Sequence, residues 1–199
     1  MYNSLFSRAT VKIMLLLSVI DGLSFAQTWF TQGALHPLQT PSHVILLLSI
    51  GLLMGQQPQT GLKSGFVSFI IALLVGYWLN GILSVNWPEI LIILSLALIV
   101  SLLVILKMNL PRIIILLVTV LGGLLLGFNS TPIIIPGLGD NSIFNWYAGA
   151  TLSFTGLLIG VILMARLLRP FWDGIILRIL GSWIATSAIF VLTLMLAKH

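Results

Sequence analysis

The chain has 199 residues, of which 59% are hydrophobic and 7% are charged, and its mean hydropathy is +1.17. So few polar residues cannot cover such an apolar core in water, which excludes a water-soluble protein and predicts an all-α integral membrane protein. The net charge of +5 comes from scattered cations, which excludes nucleic acid as a partner, and the absence of cysteine excludes disulfides and thiolate metal sites.

Seven uninterrupted apolar runs follow one another along the chain. A helix that spans the roughly 30 Å hydrocarbon layer needs about 20 residues, and backbone groups in lipid must be satisfied internally, so each run is predicted to be a helix. A single polytopic domain over residues 1–199 is expected, folded as a compact bundle of seven transmembrane helices. The runs cover residues 11–30, 43–57 (or from 38), 64–85, 89–106, 111–128, 144–168 and 172–197.

The first run, residues 11–30, has two interpretations. Arg8 and Lys12, followed by an apolar stretch and then Ser24-Phe25-Ala26, are typical of a signal peptide that is cleaved before Gln27. Asp21 favours a retained anchor helix instead, because a carboxylate inside the apolar part of a signal is unusual. Cleavage would leave a bundle of six helices.

The cations predict the orientation of the bundle. Eight of the nine Lys and Arg residues fall at alternate ends of the spans, on one side, and only Lys198 disagrees. By the positive-inside rule this side is cytoplasmic, so the N-terminus is predicted inside and the C-terminus outside. The eight are Arg8, Lys12, Lys63, Lys107, Arg112, Arg166, Arg169 and Arg178.

The rare polar residues gather on the opposite, external side: His36, His43, Glu89, Asn129 and Asp140. Imidazole and carboxylate together suit nickel, cobalt or zinc, so His36, His43 and Glu89 are candidate metal ligands. The alternatives are structural: His43 caps the second span, Glu89 complements the dipole at the start of the fourth, and Asp140 belongs to a turn.

The stretch "LHPLQTPSH", residues 35–43, decides whether the two histidines can meet. Pro41 biases Thr40 away from helical geometry, so a continuous helix from His36 to His43 is not expected. A bend between the histidines, in the predicted loop 31–42, would bring their rings together beside Glu89. Rings far apart, or a His43 that faces lipid, would leave only the structural interpretation.

Several remaining features are interpreted as structural. Four glycine pairs at a spacing of four residues predict close helix packing: Gly51/Gly55, Gly61/Gly65, Gly123/Gly127 and Gly156/Gly160. Asp173 is expected to cap the last span or to pair with Arg169. No motif of an enzyme is present. The six tryptophans, at positions 29, 78, 87, 146, 172 and 183, mostly lie near span ends and are interpreted as interfacial anchors.

Four segments, taken in order, resemble the HupE/UreJ family of hydrogenase and urease accessory membrane proteins. They are "LHPLQTPSHVILLLSIGLLMGQQ" (35–57), "NWPEILIILSLALIVSLLVILKMNLP" (86–111), "NWYAGATLSFTGLLIG" (145–160) and "RILGSWIATSAI" (178–189). The resemblance implies a six-helix core over residues 33–199, a bacterial inner-membrane location, and a small permease for nickel or cobalt with His36, His43 and Glu89 on the family's ligand positions. No cofactor is expected beyond the transported ion.

The chain also departs from the family pattern. Ser42 stands where an Asp usually precedes the second histidine, and "FNSTPII" (128–134) replaces a histidine-rich segment. Phe154, Thr155 and Gly156 stand where the family has a histidine in the sixth span. These departures motivate the alternative of a degenerate permease that serves as a non-transporting accessory or structural subunit, whose partners are lipid, other membrane subunits or further copies of itself.

Overall fold

The computed structural model describes residues 29–82, 88–132, 140–170 and 174–197, and this part of the chain is helical throughout apart from short connections. The predicted span 11–30, Trp87, Trp172, Asp173 and Lys198 lie outside these residues, apart from positions 29 and 30 of that span. The helices are α1 (Trp29–Gln39), α2 (Pro41–Gln56), α3 (Gln59–Ile82), α4 (Glu89–Ile105), α5 (Arg112–Phe128), α6 (Asp140–Leu168) and α7 (Ile175–Ala197).

The lengths and composition of these helices are those of a membrane protein. Three helical segments are long and apolar enough to cross a bilayer: Gly61–Ile82, Ser142–Leu168 and Ile175–Ala197. The bent pair α1 and α2 passes the same test when the two are taken together, as a broken span or a re-entrant segment. With 17 residues each, α4 and α5 are about 25 Å long at roughly 1.5 Å per residue, which is short of a full bilayer. The seven-span count is therefore not established by the described helices.

Helix α2 is the centre of the bundle. Twelve of its sixteen residues are buried, and it packs against α4 and α6 and, less extensively, against α5 and α7. Such burial explains why its sequence is apolar on all sides instead of amphipathic. The other helices pack mainly in pairs, α3 with α5, α1 with α6, and α4 with α7.

Three of the four predicted glycine pairs lie in close helix contacts. A Cβ atom added at Gly127 would lie 2.2 Å from the Leu73 carbonyl oxygen, and one at Gly55 would lie 2.4 Å from the Ala165 Cβ. Gly61 likewise packs against Ile115. The fourth pair, Gly156 and Gly160, is different, because a Cβ added at either position would meet nothing within 4 Å in the described part of the chain.

Hydrogen bonds join the C-terminal end of α2 to the end of α4 and to the connection between α4 and α5. The Gln57 side chain donates to the Met108 carbonyl oxygen at 3.1 Å and accepts from the Leu110 backbone N–H at 3.1 Å. The neighbouring Gln56 amide donates to the Val104 carbonyl oxygen at 3.1 Å. One buried glutamine thereby satisfies both a donor and an acceptor of the turn, which fixes its position.

Replacing Gln57 with leucine is expected to lower the free energy of unfolding by about 1 kcal/mol, because the Leu110 N–H and the Met108 C=O, which form part-buried hydrogen bonds with Gln57, lose this partner. Thermal unfolding of the purified protein in detergent measures this effect. Ser95→Ala is the control, since that exposed hydroxyl donates within its own helix, to the Leu91 carbonyl oxygen. An unchanged melting temperature for Gln57→Leu would contradict the expectation.

Candidate metal site

The two histidines meet at the bend between α1 and α2. Their ring centroids lie 5.2 Å apart, with an angle of 68° between the ring planes. On a straight helix, residues seven apart would be separated by about 10.5 Å along the axis. The helix axes bend by 74° at this break, and Thr40 is extended at φ −109° and ψ 100°, as Pro41 requires. The bend expected between the histidines is confirmed.

One local expectation at this site was wrong. Residues 31–42 were predicted to form a loop, but most of them belong to α1, which contains both His36 and Pro37. The reason is a long-range contact: Gly33 in α1 packs directly on the backbone of Trp146 in α6. Proline lacks the N–H that a helix interior requires, so Pro37 by itself disfavours a helix. The packing of α1 on α6 outweighs this unfavourable effect of Pro37.

Burial makes the histidine pair chemically unusual. The His43 side chain is 0% exposed. Three of the four ring nitrogens, His36 Nε2 and both His43 nitrogens, are buried and have no hydrogen-bond partner among the described residues. Leaving a buried polar atom unpaired disfavours folding by about 1–3 kcal/mol. A neutral imidazole offers one lone pair, so a bound metal ion would satisfy one nitrogen of each ring.

Two aromatic side chains of α6 pack against the two histidines. The Trp146 ring lies 5.1 Å from His36, and the Phe154 ring lies 5.7 Å from His43. Trp146 is only 4% exposed, so its assignment as an interfacial anchor is corrected: it is buried because α1 covers it. The Gly33–Trp146 contact that places it there joins residues more than a hundred positions apart, and no local pattern in the sequence indicates it.

The histidine pair packs beside the middle of α6. Phe154, which contacts His43, is twelve residues from the start of the Ser142–Leu168 span, or about 18 Å along the helix axis. Twelve residues of that 27-residue span precede Phe154 and fourteen follow it. His43 was expected at a span end and lies in the first turn of α2, where its ring packs against Phe154 in the middle of α6.

Glu89 is connected to the histidines through Asn129. Asn129 ends α5, with its backbone N–H bonded to the Leu125 carbonyl oxygen, and its side-chain amide donates to the Glu89 carboxylate at the start of α4. The same amide lies beside the His43 ring without forming a well-aligned hydrogen bond to either nitrogen. The Asn129 amide group therefore lies between the Glu89 carboxylate and the His43 ring.

A complete set of ionisable ligands is not present in the part of the chain that the structure describes. No group of three or more His, Cys, Asp or Glu side chains there is arranged to hold a metal ion. Ser42, beside His43, is buried, but its neutral hydroxyl adds no charge. The site therefore offers two imidazoles, with an amide and a carboxylate behind them. Asn129 had been grouped with the external polar residues, but nothing in the sequence indicated that it joins Glu89 to His43.

The sequence matches a known protein family over most of its length. A family model described as HupE / UreJ protein matches residues 19–191, more than four fifths of the chain. The chain belongs to the HupE/UreJ family. The match includes both histidines, Glu89 and Asn129. No curated protein matches the chain, and no solved structure does.

The match also extends the HupE/UreJ part of the chain beyond the core that the motifs indicated. The motif resemblance began near residue 33, whereas the family model begins at residue 19. The ten residues before Trp29, the first residue of α1, are therefore part of the matched region. They include Gly22 and Ala26.

Proposed function

We propose that this HupE/UreJ protein carries a divalent transition-metal ion, nickel or cobalt, across the membrane, and that His36 and His43 receive it. The imidazole pair supports this most directly, because three of its nitrogens are buried and lack partners among the described residues. Imidazole is a donor that suits these ions. Membership of the HupE/UreJ family supports the same broad role, that of a nickel or cobalt accessory or permease-like membrane protein.

Glu89 provides the negative charge that a divalent ion requires in an apolar part of the bundle. An unpaired ion among apolar walls is strongly disfavoured. Because the Asn129 amide nitrogen donates to Glu89, its oxygen is left to accept from an N–H of His43. That contact would fix the tautomer of His43 and leave the other nitrogen free for the metal. Direct coordination by Glu89, the role predicted from the sequence, is the alternative within this proposal.

Transport by the purified protein in liposomes tests the proposal. Liposomes that contain a metal-sensitive dye should take up nickel or cobalt faster than protein-free liposomes, with a membrane potential or a pH gradient as the driving force. Magnesium is the matched control, because it prefers oxygen ligands and keeps its water shell. Uptake no faster than in protein-free liposomes under either gradient would reject the transport function.

Replacing Asn129 with leucine is expected to weaken metal binding and uptake by about 10–100-fold, the usual effect of removing a group that orients a metal ligand. Titration calorimetry and liposome uptake measure the two quantities. Asn80→Leu is the matched control, because the Asn80 amide also bonds to the end of α5, at the Phe128 carbonyl oxygen, and makes no contact with the histidines that the structure records.

The isosteric change Glu89→Gln separates the two roles of the carboxylate. If Glu89 acts through Asn129, its effect should be similar to that of Asn129→Leu. A loss as large as that caused by removing a histidine would instead make Glu89 a direct ligand. Equal losses in Asn129→Leu and Asn80→Leu would show that only the helix end had been damaged.

A non-transporting accessory subunit is the second candidate function. The observation that favours it is the small ligand set, since the described residues hold no cluster of three ionisable metal ligands. Extraction in mild detergent followed by native electrophoresis discriminates between the two. A stable assembly with other membrane proteins, combined with no transport in liposomes, would support the subunit, whereas migration as a free small oligomer would count against it.

We also propose the full topology: seven spans in a bacterial inner membrane, with a cytoplasmic N-terminus and an external C-terminus. The described cations support it, because Lys107, Arg112 and Arg169 lie at helix ends opposite Glu89 and Asn129. Exposed positions in the connections allow a direct measurement, because the chain has no cysteine of its own. Asn109→Cys should be labelled by an impermeant maleimide only after permeabilisation, and Thr131→Cys in intact cells. The reverse pattern would overturn the orientation.

A further inference from the structure

A polar cavity lies where α2, α4 and α6 end and α7 begins, far from the histidine pair. Its volume is about 200 Å³, smaller than the roughly 300–1,000 Å³ of sites for drug-sized ligands, so a small ion or a headgroup fits it. The residues that argue for a ligand are Gln56 at the end of α2, Lys107 and Asn109 after α4, Arg169 after α6, and Gly174 before α7. The cavity therefore exists only when these four helix ends are assembled.

The charges around this cavity favour an anion. Two of the residues that line it, Lys107 and Arg169, are cations, and none of its described lining residues is acidic. Glu89 and Asp140, the acidic residues in the part of the chain that the structure describes, begin α4 and α6 at the opposite ends of those helices. A Cβ built at Gly174 would lie 3.8 Å from the Lys107 Cε, so this side chain reaches the start of α7. The positive end of the α7 dipole adds to the same potential.

The backbone carbonyl groups at the end of α4, beside the cavity, already have protein partners. The Val104 carbonyl oxygen accepts from the Gln56 side-chain amide and from the Lys107 backbone N–H, each at 3.1 Å. The Ile105 carbonyl oxygen accepts from the Arg178 Nε at 2.9 Å. The last carbonyl groups of a helix usually seek such donors. A ligand in the cavity therefore meets the lining side chains and not these carbonyl oxygens.

One buried acceptor belongs to the wall of the cavity. Gln56 is only 9% exposed, and its Oε1 is buried with no hydrogen-bond partner among the described residues. The neighbouring Gln57, by contrast, uses both its amide nitrogen and its amide oxygen. An unpaired buried acceptor disfavours the folded state, so a donor from a bound molecule would stabilise it. A ligand for this cavity should carry a hydroxyl beside its anionic group.

We propose that the cavity binds a phosphate group with a neighbouring hydroxyl, the chemistry of a glycerophosphate headgroup. Lys107, Arg169 and the Asn109 amide bind the phosphate oxygens, and Gln56 Oε1 accepts from the hydroxyl. Arg169 directly follows the Ser142–Leu168 span, so the cavity lies at the level of lipid headgroups. Basic pockets between transmembrane helices bind anionic lipid headgroups. A soluble glycerophosphate offers the same chemistry. This inference does not depend on metal transport.

Binding of phosphatidylglycerol to the full-length protein tests the proposal. Native mass spectrometry of the purified protein in detergent should show tighter binding of phosphatidylglycerol than of phosphatidylmethanol, which has the same charge but no hydroxyl. Phosphatidylcholine, which has no net charge and no hydroxyl, should bind most weakly. Soluble glycerol 3-phosphate forms a separate arm, in which binding is detected as a rise in melting temperature. Binding in either arm supports the site and identifies the source of the phosphate, whereas binding in neither overturns the proposal.

Two variants remove the positive charges of the cavity one at a time. Lys107 has a φ of 51°, which glycine adopts without strain, so Lys107→Gly removes the cation and keeps the turn. This variant and Arg169→Gln should each weaken phosphatidylglycerol binding about 5-fold, the usual effect of one cation near an anionic headgroup. Arg112→Gln is the matched control, because Arg112 bonds to Ser64 and does not line the cavity. Equal weakening by all three would indicate general charge attraction and overturn the proposal.

Gln56→Met tests the hydroxyl contact separately. Methionine is similar in length and has no acceptor oxygen, and the Val104 carbonyl oxygen keeps its bond from the Lys107 N–H. The preference for phosphatidylglycerol over phosphatidylmethanol should disappear, while phosphatidylmethanol binds as before. A preference that survives Gln56→Met would reject the assignment of the hydroxyl to Gln56 Oε1.

Discussion

Replacing His43 with leucine is expected to abolish metal uptake and, at the same time, to stabilise the folded protein. The loss of a ligand should lower metal affinity by more than about 100-fold, a larger effect than the change of a supporting residue. Stability should rise because both ring nitrogens are buried without partners among the described residues, and each unpaired group opposes folding by about 1–3 kcal/mol. Leucine has a similar volume and no polar atom to bury.

Two measurements on the same sample check this prediction: uptake in liposomes and thermal unfolding without metal. His199→Ala, which removes the third histidine of the chain, is the matched control and should leave both values unchanged. Uptake that survives His43→Leu would remove the residue from the site. A clear fall in melting temperature would mean that the His43 nitrogens have a partner, such as Asn129, in the protein without metal.

Replacing Gly33 with alanine is expected to produce the largest loss of stability, about 3 kcal/mol or more. The added Cβ would lie 2.0 Å from the Trp146 carbonyl oxygen and 3.1 Å from the Ala150 backbone nitrogen. Backbone atoms cannot turn away as a flexible side chain can, so α1 must move off α6. Because α1 carries His36, the imidazole pair should separate and metal binding should fall together with stability.

Chemical or thermal unfolding in detergent measures the first effect and metal titration the second. Gly81→Ala is the control, since no described residue lies within 4 Å of a Cβ at that position. Alanine is favoured over glycine inside a helix by about 1 kcal/mol, so this control should be neutral or stabilising. Equal behaviour of the two variants would show that the contact between α1 and α6 is looser than the structure indicates.

The sequence alone determined those features that depend on local chemistry. The apolar runs required helices, because backbone groups in lipid must bond within their own segment. Pro41 required a break before it, and the break lies at Thr40 with the expected extended geometry. Three of the glycine pairs marked true packing surfaces, since small residues at this spacing allow backbones to meet. The order of motifs also identified the family that the model match then established.

Only the tertiary structure decided what surrounds the histidines. Trp146 lies far from His36 in the sequence, and Phe154 far from His43, so their contacts depend on how α1 and α2 pack against α6. The same packing kept α1 helical through Pro37 and placed His43 beside the middle of a span. The link from Glu89 through Asn129 joins the start of α4 to the end of α5. Such contacts follow from the mutual arrangement of whole helices, which no local preference specifies.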